Sequence, residues 1–189
     1  MNVIMLDMDG VINSDDFITE WQRANGSGVQ SMKEFERTYC IHDGHTGYVV
    51  PELVERFRAM CDCTGCSIVW SSSWRENYWR KDADTGEYCF DWHEIGSLWK
   101  SKGLPLERLV GCTPCLDLSR FSYVPRGCEI QRWIDENHGR YNIGKVAILD
   151  DNPDAYVGVE YADACFFQTD FEHGLTVGIA DEVMEYLKE

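Results

Sequence analysis

No apolar run in this 189-residue chain approaches the roughly 20 residues that a membrane span requires. Internal repeats, low-complexity tracts and Gly/Ser/Pro linkers are equally missing, so residues 1–189 are read as a single domain. Basic residues are scarce. Seventeen Lys and Arg face 33 Asp and Glu, a formal charge of −16, and the stretch 146–189 holds eleven of those acids against Lys188 alone. Such an end repels phosphate backbones, so a nucleic-acid substrate would have to approach from another side. A signal peptide is not expected, because the first apolar stretch, 3–6, runs straight into Asp7; the expected location is the cytoplasm. Cysteine, by contrast, is plentiful. Its nine copies are odd in number and too dilute for a small disulfide scaffold, so they read as reduced, mostly buried thiols. The 44% hydrophobic and 13% aromatic content excludes a disordered chain, and a domain of this length buries roughly 70% of its unfolded surface without staples.

Five apolar runs, 3–6, 67–70, 109–111, 146–149 and 164–167, are too short and too continuous for amphipathic helices and read as buried parallel strands. Helical patterns lie between them. Pro51 opens one that Gly65 stops, Ile130, Trp133 and Ile134 stripe another that Gly139 ends, and Val183, Met184 and Leu187 mark the last. The alternation implies an α/β fold, a Rossmann-like doubly wound parallel sheet of order 3-2-1-4-5. Two inserts break the rhythm. Residues 11–50 are glycine-bearing and loop-rich, with one short helix expected at 32–37. Residues 74–107 form the second insert; Trp70, Trp74, Tyr78, Trp79, Tyr88, Phe90, Trp92 and Trp99 cluster around its start. Packing of this insert onto the sheet is preferred over a base-stacking platform, because aromatic clusters are more often core than ligand.

The polar residues of interest close the apolar runs: Asp7 and Asp9 after the first, Ser71, Ser72 and Ser73 after the second, and Asp150, Asp151 and Asp154 around the end of the fourth. Taken singly, each is an ordinary turn or capping residue. Together they fall on one sheet edge, the edge that carries the ligand crevice in open α/β sheets, with strands 1 and 4 adjacent at the reversal of order. Clustered carboxylates repel one another unless a cation sits among them, and an all-oxygen set suits Mg²⁺, which also binds phosphate. Cys63-x-x-Cys66 and Cys112-x-x-Cys115 could suggest zinc. However, Cys66 precedes strand 2 while Cys112 follows strand 3, which places them about four residues, or ~13 Å, apart. His42 and His45 read as surface-loop residues.

These motifs resemble the haloacid dehalogenase-like (HAD) hydrolases. Asp7, Asp9, Gly10 and Val11 match the first motif and Ser71 the second, with Ser72 the alternative register. Arg126 stands for the third-motif Lys or Arg, and Asp150 with Asp151 matches the acidic pair. Trp70-Ser71-Ser72-Ser73-Trp74-Arg75, Arg126-Gly127-Cys128-Glu129-Ile130 and Thr169-Asp170 with Gly174-Leu175-Thr176 are similar to the HAD domain of Swiss Army Knife RNA-repair proteins. The resemblance implies a phosphatase. Asp7 would be the nucleophile forming an aspartyl-phosphate, and Asp9 the acid and then the base. Ser71 and Ser72 would hold phosphoryl oxygens, Arg126 would stabilise the transition state, and Arg75 would contact substrate. Mg²⁺ would be held by Asp7, the Asp9 carbonyl and Asp151, with Asp150 close by. The inserts are too small for a large cap, so the open site would admit a bulky phosphoester, such as a nucleic-acid end or phosphoprotein, or a nucleotide covered by the two inserts; the resemblance favours a nucleotide or nucleic-acid phosphate, and the net charge opposes it. A small sugar or metabolite phosphate is the second reading and a non-catalytic partner-binding module the third. No feature assigns an oligomeric state.

Overall fold

The computed structural model describes residues 1–40, 47–81, 88–116 and 123–189; His42 and His45 lie outside them. Strands β1 (Val3–Leu6), β2 (Ser67–Trp70), β5 (Leu109–Cys112), β6 (Val146–Asp150) and β7 (Ala164–Gln168) form one parallel sheet in the order β5-β2-β1-β6-β7. These are the five apolar runs in the expected order. Strands β3 (Trp79–Lys81) and β4 (Tyr88–Phe90) pair antiparallel in a separate two-stranded sheet.

The sheet is buried on both faces, and strand alternation divides its side chains between two cores. Ile4 and Leu6 of β1, with Ala147 and Leu149 of β6, join Phe57, Met60, Leu98, Trp99, Val183 and Leu187. Those partners come from helices α3 (Pro51–Thr64), α4 (Trp92–Ser101) and α6 (Val177–Lys188). Val3, Met5, Val146 and Ile148 face the other way, onto Ile130, Trp133 and Ile134 of α5 (Arg126–Tyr141). Each such large apolar side chain, once buried, contributes about 1.5–3 kcal/mol. All nine cysteines are free thiols, and Cys112 pairs in register with Trp70, four residues beyond Cys66. No helix among the described residues is long and apolar enough to cross a membrane.

Three expectations change. The first insert carries two helices rather than one short one, α1 (Asp15–Asn25) and α2 (Val29–Tyr39). Phe17, Ile18 and Trp21 of α1 pack against Phe35 and Tyr39 of α2 in a satellite cluster, and glycines 26 and 28 fall in the turn between the helices. Gly139 does not end α5. It is exposed within the helix, which continues until Asn142 adopts a left-handed φ of 47°. The aromatic insert contributes Tyr78 and Trp99 to the core beside Trp70, but Trp74 is only partly buried and turns to the sheet edge. The inserts also meet each other, since Lys102 donates to the Tyr39 and Cys40 carbonyls at 3.3 and 2.6 Å.

Candidate active site

Register places the polar residues. Leu6 pairs with Trp70 on one side and Leu149 on the other, so Asp7, Ser71 and Asp150 are the next residues on three adjacent strands. The ladder continues through them: Asp7 N–H donates to the Leu149 carbonyl at 3.0 Å and Ser71 N–H to the Leu6 carbonyl at 2.8 Å. Three carboxylates converge there, those of Asp7, Asp150 and Asp151, with one oxygen from each within 4.8 Å of the others. Among the described residues no other group of three His, Cys, Asp or Glu side chains is so close. Gly10 makes room for the third. Its φ is +64°, and a Cβ built on it would lie 2.6 Å from the Asp151 Cβ, so a side chain there is excluded by backbone conformation and by space.

Arg126, at the start of α5, reaches into this group. Its Nη1 donates to Asp7 Oδ1 at 3.0 Å, its Nε lies 3.3 Å from Asp150 Oδ2, and Nη1 also bonds the Ser71 carbonyl. One guanidinium does not neutralise the group. Burial pushes the Asp7 carboxyl up to about 6, although Arg126 and the Ser72 hydroxyl oppose it. Burial and the neighbouring Asp7 push Asp150 up to about 8, and burial raises Asp151 as well. Two buried carboxylates and a half-buried third, each raised chiefly by burial, form an oxygen-only donor set that fits a hard divalent cation.

Asp9 stands at the rim of this centre, partly exposed. Its Oδ1 accepts from Asn13 Nδ2 at 2.8 Å and its Oδ2 from Trp74 Nε1 at 2.7 Å. Ser72 is the serine that bonds the Asp7 side chain, whereas the Ser71 hydroxyl lies 3.5 Å from Thr113 Oγ1, toward β5. The alternative register therefore describes the hydroxyl nearest the nucleophile position.

Arg75 is a correction. Its side chain is 2% exposed and makes only internal bonds: to the Ser72, Thr113 and Pro114 carbonyls at 2.5, 3.0 and 3.2 Å, and an ion pair with Glu129. It ties together the loops after β2 and β5 and the first turn of α5, and no part of it is offered to a substrate. Asp154 is not one of the three converging carboxylates; its Oδ2 accepts from the Tyr123 hydroxyl and, at 3.5 Å, from the Arg126 N–H. The sequence assigns no role to Asn13, Trp74 or Glu129, although Trp74 and Glu129 lie within the family-like stretches and Asn13 stands four residues beyond Asp9 in the turn that leaves β1.

A family model described as the HAD domain in Swiss Army Knife RNA repair proteins matches residues 3–178, and the chain belongs to that family. No curated protein and no solved structure matches it.

Proposed function

We propose that this HAD domain is a Mg²⁺-dependent phosphomonoesterase that works through an aspartyl-phosphate on Asp7 and acts on a nucleotide or nucleic-acid-end phosphate. The observation that carries the reading is the convergence of Asp7, Asp150 and Asp151 beside Arg126, with Asp9 one strand-end turn away. Asp7, Asp150 and Asp151 would hold the ion, together with the Asp9 carbonyl. When bound, it supplies positive charge that offsets the repulsion between an anionic nucleophile and an anionic phosphate.

The protein's own groups carry the steps. An Asp7 carboxylate oxygen attacks phosphorus in line, the ester P–O bond breaks, and the leaving alkoxide takes a proton from Asp9. Asp9 then removes a proton from water. The water oxygen attacks phosphorus, the bond between phosphorus and Asp7 breaks, phosphate leaves and the Asp7 carboxylate returns. Arg126 has two tasks: it favours the ionised Asp7 before attack, and it stabilises charge on the phosphoryl oxygens during transfer. Ser72 steadies Asp7 through its hydroxyl. Supporting the substrate class are the family's RNA-repair description and the small size of the inserts flanking the crevice. Reduced thiols suit a cytoplasmic enzyme.

The test is phosphate release with Mg²⁺ and with EDTA. Substrates are p-nitrophenyl phosphate, sugar phosphates, nucleotides, and 3′- and 5′-phosphorylated oligonucleotides. Metal-dependent release, fastest on a nucleotide or oligonucleotide end, is expected. Release from sugar phosphates alone overturns the substrate class, and no release from any of them overturns the enzymatic reading.

A further inference from the structure

We infer that Trp74 and Asn13 are positioning residues that hold the Asp9 carboxylate in one orientation for proton transfer, the indole N–H fixing one oxygen and the amide the other. The inference rests on the phosphatase reading for its chemistry, but its geometry stands separately. A partly exposed aspartate is ordinarily free to turn about two side-chain bonds. Here each oxygen is taken by one N–H donor, at 2.8 Å from Asn13 and 2.7 Å from Trp74, and the donors come from different elements.

Both donors are themselves fixed. Asn13 is buried, and its Oδ1 accepts from the Gly10 N–H at 2.8 Å. Since a backbone N–H can only donate, the Asn13 oxygen must face Gly10 and its NH₂ must face Asp9. Trp74 is held through its ring. Gly47 lies against that ring so closely that an added Cβ would sit 2.7 Å from Cζ2, and the Trp74 backbone N–H donates to the Ser72 hydroxyl at 3.4 Å. An indole N–H has no acceptor alternative, so Trp74 can meet a carboxylate only as a donor. The turn after β2 thus serves both aspartates, with Ser72 on Asp7 and Trp74 on Asp9. Gly47 lies near the end of the first insert and Trp74 opens the second, so their contact spans the two inserts beside the acid. Each Asp9 oxygen keeps a further lone pair: with a proton on it the group can donate to the leaving oxygen, and once ionised it can accept a proton from the attacking water there.

Trp74→Phe keeps most of the ring and deletes the N–H. With an alkyl phosphate, kcat should fall about tenfold, the scale of one hydrogen bond to a charged group, with KM unchanged. The fall in the first chemical step should be smaller for p-nitrophenyl phosphate, whose leaving group departs without a proton. Equal first-step losses on both substrates, or no loss on the alkyl phosphate, would overturn the inference. A second readout needs no activity. In protein labelled with ¹⁵N-tryptophan, the indole resonance that vanishes in Trp74→Phe should move in Asp9→Ala further than those of the other six tryptophans. A Trp74 resonance unmoved by Asp9→Ala overturns the clamp, even if the enzyme turns over. A moved resonance in a protein without phosphatase activity upholds the clamp and removes only the catalytic reading.

Discussion

Replacing Arg75 by Met should cost stability rather than substrate affinity. The guanidinium is enclosed, and its loss strands four groups at once: the Glu129 carboxylate and the Ser72, Thr113 and Pro114 carbonyls. Glu129 is the expensive one. Its side chain is 12% exposed and its other oxygen is already committed to the Leu116 N–H at 2.9 Å, so it cannot turn to water without giving up that bond. Breaking a buried pair from one side costs about 3–5 kcal/mol, and Met fills much of the vacated volume, which keeps any cavity contribution small. Against a typical total of about 5–15 kcal/mol, a loss of about 4 kcal/mol is severe. At roughly 2–4 °C per kcal/mol for a chain of this size, it should lower Tm by about 8–16 °C. Urea and thermal unfolding followed by tryptophan fluorescence measure it, with KM for a phosphate ester determined in parallel. Arg75→Met combined with Glu129→Leu should recover part of the loss, because an apolar pair leaves no buried charge unpaired. An Arg75→Met protein within about 1 kcal/mol of the parent, or a double variant less stable than the single one, would refute the structural role of Arg75. A raised KM with unchanged Tm would return Arg75 to the substrate.

Three further outcomes follow from the carboxylate cluster. Asp7→Asn should abolish turnover yet leave Tm equal or higher near neutral pH, since burial already disfavours the Asp7 charge; substantial remaining Mg²⁺-dependent activity would sink the covalent mechanism. Asp151→Ala should weaken Mg²⁺ binding more than Asp154→Ala, because Asp151 belongs to the group of three converging carboxylates and Asp154 does not; titration of both variants decides, and the reverse order would misplace the metal ligands. The pH dependence has a definite sign. Asp7 and Asp150 are raised from 3.8 to about 6 and about 8, so the metal-free fold has their full contribution below pH 3.8 and loses it as pH rises through those values. Tm without metal should therefore fall across that window. The rise in Tm that Mg²⁺ produces should grow over the same range, because binding expels the protons, and a pH-independent rise would refute the assignment.

How far the sequence disclosed the fold depended on how locally each element is determined. β1 and β6 are buried on both faces and so had to be continuous apolar runs; their burial and neighbours follow from that alone. The α1–α2 pair is different. Its inward residues, Phe17, Ile18, Trp21, Phe35 and Tyr39, are spread among charged ones and bury against each other rather than the sheet, so the pattern reads as a loop until both helices are set side by side. Gly139 misled for a related reason. A glycine near the end of a helical stripe is a fair stop signal, but an exposed one in the last turn costs only about 1 kcal/mol, and the stacked rings of Trp133 and Tyr141 span it on their side of the helix.

The site divides along the same line. Asp7, Ser71 and Asp150 are each the residue after a buried strand, and parallel register brings strand ends together whatever the side chains are, so their proximity could be read from position. Register does not say which hydroxyl turns inward. Ser71 still belongs to the ladder, and its side chain is directed toward Thr113 of the neighbouring strand's end; Ser72 has left the ladder and is free to turn back on Asp7. Arg75 and Trp74 go a step further, since their roles depend on residues that lie 54 and 65 positions away, Glu129 and Asp9. The two neighbours take opposite fates in one short turn. Arg75 finds three carbonyls and the Glu129 carboxylate on the inside, which its several N–H donors and its charge satisfy together, and Trp74, displaced by one residue, presents its single N–H to the carboxylate outside. Swapping the two residues would place a charge over Asp9 and an indole among unpaired carbonyls.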